Sequence, residues 1–444
     1  MTSDARLHRR RLVATTLGLV LPAVLLASCA TEGEGGTGDD GAAPAATEEA
    51  PTSDATEAAT ATPRLAVTYD GGIQVLDAAT LEVVDDIELA GFNRLNPAGD
   101  GRHLVVSTSG GFQVLDAGAW AVAHGDHAHY YTAPPVLTDV VYEAGTPGHV
   151  VVHDGRTALF DDATGHVVVT GSGDVALGDV DREHTTPSAH HGVAVELSDG
   201  TLVVSEGTEE ARTGIRVLDA AGQEIAASDE CPGVHGEAVA ADEAVVVGCE
   251  DGVLVVLDGV VTKVASPDAY GRIGNQAGSE ASPIVLGDYK SDRDAELERP
   301  TRVSLVDTRS GEMRLVDLPA SYTFRSLARG DDGEALVLGT DGQVHVIDPA
   351  TGDLTASIPV IEPWEEPEEW QSPRPAILTL DGSVYVTDPA TNRVLAVDVP
   401  TGEVWQSAEL GVTPNEIAGV SGDVEAGASA EHEHEDEHED GHDH

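Results

Sequence analysis

Between residues 64 and 420 the apolar positions come in short runs of Val, Ile, Leu and Thr, cut by Gly, Asp and Asn, and helical periodicity is absent. Short β-branched runs with turn formers between them predict strands joined by tight turns. One pattern recurs, a pentad closing on Asp: I-Q-V-L-D to Asp77, F-Q-V-L-D to Asp116, T-A-L-F-D to Asp161, I-R-V-L-D to Asp219, L-V-V-L-D to Asp258, V-S-L-V-D to Asp307, V-H-V-I-D to Asp348 and V-L-A-V-D to Asp398. The spacings of 39, 45, 58, 39, 49, 41 and 50 residues fit one four-stranded blade per copy. The first unit, from Arg64 to Leu89, has room for three strands, and residues 415–420 supply an orphan strand after the last unit. Pairing the two closes a ring and removes the exposed sheet edges. The expected fold is therefore an all-β propeller, with eight blades favoured and seven the alternative.

The two ends of the chain do not follow this pattern. His8-Arg9-Arg10-Arg11 precedes an uncharged apolar run from Leu12 to Ala27, then Leu26-Ala27-Ser28-Cys29. A basic flank, a short apolar core and small residues at a cut site read as an export signal over 1–28. Leu-Ala-Ser-Cys resembles the bacterial lipobox, which makes Cys29 the lipidated residue and places the mature protein on the outer face of the cytoplasmic membrane. Residues 29–63 lack large apolar side chains and read as a disordered tether; 64–422 is the propeller; 423–444 is a second disordered segment.

Charge narrows the partners. Lys and Arg number 23 against 79 Asp and Glu, a net charge of −56, and most of those acids lie in the propeller. Such a field repels nucleic acid and anionic headgroups and concentrates cations, so a nucleic-acid role is excluded and membrane contact is left to the lipid. Nothing in the pattern calls for more than a monomer.

The candidate chemistry is histidine. Ala189-His190-His191-Gly192-Val193 aligns with Gly233-Val234-His235-Gly236-Glu237 at an offset of 44 residues, so His191 and His235 take one structural slot, the loop into the innermost strand, in adjacent blades. His124-Gly125-Asp126-His127-Ala128-His129 lies in the connection before the preceding inner strand; His127 and His129, two apart in extended chain, point the same way. The expectation is one site at the channel mouth with His127, His129, His191 and His235 as ligands. His124, Asp126, His190 and Glu237 are secondary. Imidazole with carboxylate suits zinc best, though copper and nickel use similar ligands. In the tail, His432, His434, His438, His442 and His444 alternate with acids, a composition that captures divalent ions exchangeably. Cys231 and Cys249 bracket one hairpin and form a disulfide in an oxidising compartment; a thiolate pair on the metal is the alternative.

These segments resemble the AztD family of exported zinc chaperones, at H-G-D-H-A-H-Y-Y from His124, H-H-G-V-A-V from His190, C-P-G-V-H-G-E-A from Cys231, G-C-E-D-G-V-L from Gly248 and L-G-D-Y from Leu286. The resemblance implies a propeller that binds zinc and passes it to the solute-binding protein of a zinc ABC importer, with a His-rich segment aiding capture. Here that segment is C-terminal, whereas the family carries it on the N-terminal side. The competing expectation is a metal-dependent, lyase-like enzyme at the channel mouth with His190 or Glu237 as base. A pure interaction propeller leaves the histidines unexplained.

Overall fold

The computed structural model describes residues 54–424 apart from Asp126. The signal segment, Cys29, most of the tether, Asp126 and the tail with its five histidines lie outside the described residues. No helix among the described residues is long and apolar enough to cross a membrane.

The described residues form eight antiparallel blades, each built on a four-stranded ladder. Blade 1 consists of Ile417–Val420, Arg64–Tyr69, Gly71–Asp77 and Val83–Leu89, so the last strand of the domain completes the first blade as expected. Arg64 pairs with Val420 and Val67 with Ile417. In blade 5 the four strands from Glu237–Ala240 to Val260–Ala265 gain a short parallel strand, Gly271–Arg272. The chain is ordered earlier than the tether boundary at residue 63: Thr56–Ala58 pairs with His127–Thr132 outside the ring of blades.

The ring is held by side chains alternating between the two faces of each blade. Leu65 and Val67 pack toward blade 8 with Tyr385 and Val394, while Ala66 packs toward blade 2 with Leu104 and Val106. Buried clusters fill all the remaining junctions between neighbouring blades in the same way. Burial on both faces explains why the strands read as apolar runs rather than clean alternation.

Except for Asp258, the recurrent Asp caps the turn that follows its strand. Asp77 Oδ1 accepts from the backbone N–H of Ala79 and Thr80 at 3.1 and 2.9 Å, and Asp348 Oδ1 does the same for Ala350 and Thr351 at 2.8 and 3.1 Å. In seven blades the pentad is the third strand, but in blade 3 it is the second. The inner strand there is Pro147–His153, followed by Arg156–Asp161, His166–Gly171 and Arg182–Thr185. This one-strand slip moves the pentad's end, Asp161-Asp162, to the opposite end of the blade. It also makes Pro-Gly-His an approach to the channel.

Candidate metal centre

The slip in blade 3 assembles the site. Inner strands of blades 3, 4 and 5 all begin at one mouth of the channel, and three histidines stand there: His149 near the start of its strand, His191 just before Ala194–Glu196, and His235 just before Glu237–Ala240. Their ring centroids are 5.1, 5.0 and 5.7 Å apart, and one ring nitrogen from each lies within 4.8 Å of the others.

Each ring has its Nδ1 turned to an acceptor. His191 Nδ1 donates to Asp162 Oδ2 at 2.5 Å, and His235 Nδ1 donates to the carbonyl of Gly274. His149 Nδ1 faces Glu237 Oε2 at 3.1 Å. That buried oxygen is close enough for an ion pair but out of line for a hydrogen bond, so it is left without a hydrogen-bond partner. An imidazole that donates from Nδ1 keeps its lone pair on Nε2, so His191 and His235 each have that nitrogen to offer an ion, and His149 brings a third ring nitrogen within reach. Burial first, and then the nearby His149, Arg272 and His191, hold the His235 ring well below the usual histidine range. A neutral ring is the form that binds metal. Zinc bonds at about 2.0–2.1 Å would draw the three nitrogens together by small ring rotations and leave a fourth tetrahedral position open. The donor set fits zinc on its own chemistry.

The shared His-Gly pair has a steric cause. A Cβ on Gly192 would sit 2.2 Å from the Phe160 ring, and one on Gly236, at φ +71, would sit 2.6 Å from the Gly274 carbonyl oxygen that holds His235. The Cys231–Cys249 disulfide forms, closing a loop whose ends are 18 residues apart in sequence, and it ties the His235 loop to the second strand of blade 5. Both sulfurs are therefore committed to each other.

Of the expected ligands, His191 and His235 meet, but His127 and His129 are not with them. They form a separate group with His124, with centroids 5.1 to 5.6 Å apart, on the hairpin of Ala119–His124 and His127–Thr132. The hairpin lies between the third and fourth strands of blade 2, after Asp116, and so is rooted at the end of the strands opposite the mouth. Chain proximity to an inner strand did not translate into convergence on one ion. His129 Nδ1 contacts Glu57 Oε1 at 3.1 Å, while His124 and His127 are exposed. His190 points into the core: it is 1% exposed, with Nδ1 on the Ser188 carbonyl and Nε2 on Ser205 Oγ, both at 2.9 Å. Glu237 lies in the site as an orienting group for His149.

Sequence reading missed His149, Asp162 and the Gly274 carbonyl. The signal was the 58-residue gap after Asp161, long enough for an additional strand and thus for a slipped frame. Asp162→Ala is expected to weaken zinc binding about 10- to 100-fold by freeing the His191 ring. Chelator competition measures it, and an unchanged affinity would show that His191 needs no such support.

No protein-family model matches the chain. The sequence is 27% identical over 382 residues to zinc chaperone AztD of Citrobacter koseri, a match spanning 82% of this chain and 88% of that one. The crystal structure of Citrobacter koseri AztD is similar with a TM-score of 0.71 at 24% identity, covering 81% of this chain and 98% of the other. The dihydro-heme d1 dehydrogenase NirN is similar at a TM-score of 0.50 and 12% identity, over 80% of this chain and 74% of its own. The expected resemblance to AztD thus runs along most of the sequence. The fold alone is common to a chaperone and a dehydrogenase and does not choose between them.

Proposed function

We propose, from the resemblance to zinc chaperone AztD, that this protein is itself a zinc chaperone: it binds zinc at His149, His191 and His235 and passes the ion to an acceptor protein. The observation that carries the reading is the convergence of the three rings, with one nitrogen of each within 4.8 Å of the others. Three neutral ligands and an open fourth position suit a cargo site, because an incoming donor can enter before an imidazole leaves. The acceptor we infer is the solute-binding protein of a zinc ABC importer. The leader and Cys29 support export and a lipid anchor on the outer face of the membrane. The exposed histidine hairpin and the C-terminal histidines would collect zinc loosely. The lyase-like reading loses one of its two bases, because both nitrogens of His190 are bonded inside the core.

The test mixes zinc-loaded protein with the apo solute-binding protein and, separately, with a chelator of equal affinity and concentration. The protein acceptor is expected to gain zinc faster than spontaneous release allows, and removal of residues 425–444 should slow loading at scarce zinc without loosening the bound ion. Equal rates to both acceptors, set by release, would refute direct transfer.

A further inference from the structure

Leu286-Gly287-Asp288-Tyr289 carries neither histidine nor cysteine, yet its Asp288 closes the second strand of blade 6, Ile284–Asp288, at the mouth of the channel. Asp288 is 4% exposed, and its Oδ1 accepts from the backbone N–H of Gly274 at 2.7 Å and of Asn275 at 3.1 Å. Its own N–H donates to the Asn275 carbonyl at 2.9 Å. The approach is close because residue 287 is glycine: a Cβ there would sit 2.9 Å from Ile273 Cγ2 and 2.6 Å from Ser304 Oγ.

The bond from Asn275 bears on the metal centre. The Gly274–Asn275 peptide gives its N–H to Asp288 and its carbonyl oxygen to His235 Nδ1, so it stands between a carboxylate and a ring of the centre. The N–H and C=O of a peptide share one delocalised system, and an anion on the N–H draws electron density onto the oxygen. The carbonyl becomes a stronger acceptor, and a ring held by a stronger acceptor at Nδ1 is a better donor at Nε2. His191 faces Asp162 directly and His149 faces Glu237, so Asp288 gives the third ring a carboxylate at one remove. The peptide is fixed on both sides. Ile273 donates its N–H to the Cys249 carbonyl at 2.9 Å, and Asn275 Nδ2 donates to the Phe324 carbonyl. Burial pushes the Asp288 carboxyl up, while the Gly274 N–H, Lys290, Arg272 and the Asn275 N–H draw it back toward the charged form.

We propose that Asp288 is a positioning residue of the metal centre: through the Gly274–Asn275 peptide, its charge strengthens the hydrogen bond on His235 Nδ1 and so the hold of His235 Nε2 on zinc. The proposal rests on reading His235 as a zinc ligand. The effect belongs to the charge and not to the turn, which an asparagine in place of Asp288 would keep.

The test uses nuclear magnetic resonance of the full chain with isotope-labelled histidine, first without metal. The Nδ1–H resonances of His190, His191 and His235 are assigned by their loss in single alanine variants. His190 donates to the Ser188 carbonyl and His191 to a carboxylate, so the two mark a plain acceptor and a charged one. In the native protein the His235 resonance is expected nearer to that of His191. Asp288→Asn keeps an oxygen for both backbone N–H groups and removes the charge. It should move the His235 resonance upfield, leave that of His191 in place and weaken zinc binding about tenfold in chelator competition. A native His235 resonance at the His190 position, an unmoved resonance in the asparagine variant, or a moved resonance with unchanged zinc affinity overturns the proposal. Should the variant fail to fold, the native comparison decides alone. Zinc affinity unchanged in His235→Ala would instead refute the reading of His235 as a ligand, whatever the metal-free resonances show.

Discussion

His149→Ala is expected to weaken zinc binding by well over about 100-fold, because loss of a direct ligand exceeds what loss of an orienting group costs. The remaining His191 and His235 would hold the ion by two bonds, with Glu237 left buried and facing empty space. His190→Ala is the matched control: it should lower stability, since the ring is buried and doubly bonded, yet leave zinc affinity within a few fold. Competition against a chelator at neutral pH measures both. A His149→Ala protein that keeps zinc within tenfold of native affinity would take blade 3 out of the centre. In the native protein affinity should fall as the pH drops through the histidine range, since each imidazole must shed its proton to bind. His235 resists that protonation, because burial and its charged neighbours depress its folded-state pKa.

The second large effect concerns the disulfide. Cys231→Ala with Cys249→Ala should cost about 3 kcal/mol of stability, the loop-closure entropy for a bridge spanning a loop of this length. The 18-residue separation sets that figure, and both sulfurs are fully buried, so the alanines also leave a packing defect. Denaturant unfolding under identical metal-free conditions reads the difference. A change below about 0.5 kcal/mol would mean that the hairpin's own ladder already holds the loop. Zinc affinity should fall as well, since Pro232 to Gly236, the approach of His235, is pinned at its start by Cys231.

The fold was legible in the sequence because the blades repeat the same physical demand: an apolar strand buried on both faces, then an Asp at the next turn, which it caps in every blade but the fifth. Even the closure of blade 1 could be counted from the strands missing at one end and left over at the other. The site was half legible. His191 and His235 carry the same His-Gly in the same frame, and the structure sets their rings 5.0 Å apart. His149 was hidden because blade 3 breaks the frame, so its inner strand wears the sequence of a second strand. His127 and His129 misled for the opposite reason. Their local geometry was read correctly, as two rings on one face, but a hairpin inserted between two strands can leave a blade at either end. No pattern in the residues says which. Gly274 acts through its carbonyl, a group that every residue has and no sequence motif marks.

The closing ladder of blade 1 also fixes how the domain meets a mechanical load. Arg64 and Val420 are the terminal pair, and the chain leaves the ring from both at the same end of the two antiparallel strands. A pull applied between the two ends of the domain therefore acts across the ladder rather than along it. Once Thr56–Ala58 has parted from its partner strand and Gly422 from Gly101, the load reaches the Arg64–Val420 pair and then passes to Leu65–Gly419 and Ala66–Ala418 in turn. The ring opens as a zipper, at the force of single rungs, whereas strands pulled from opposite ends would have to shear every rung together.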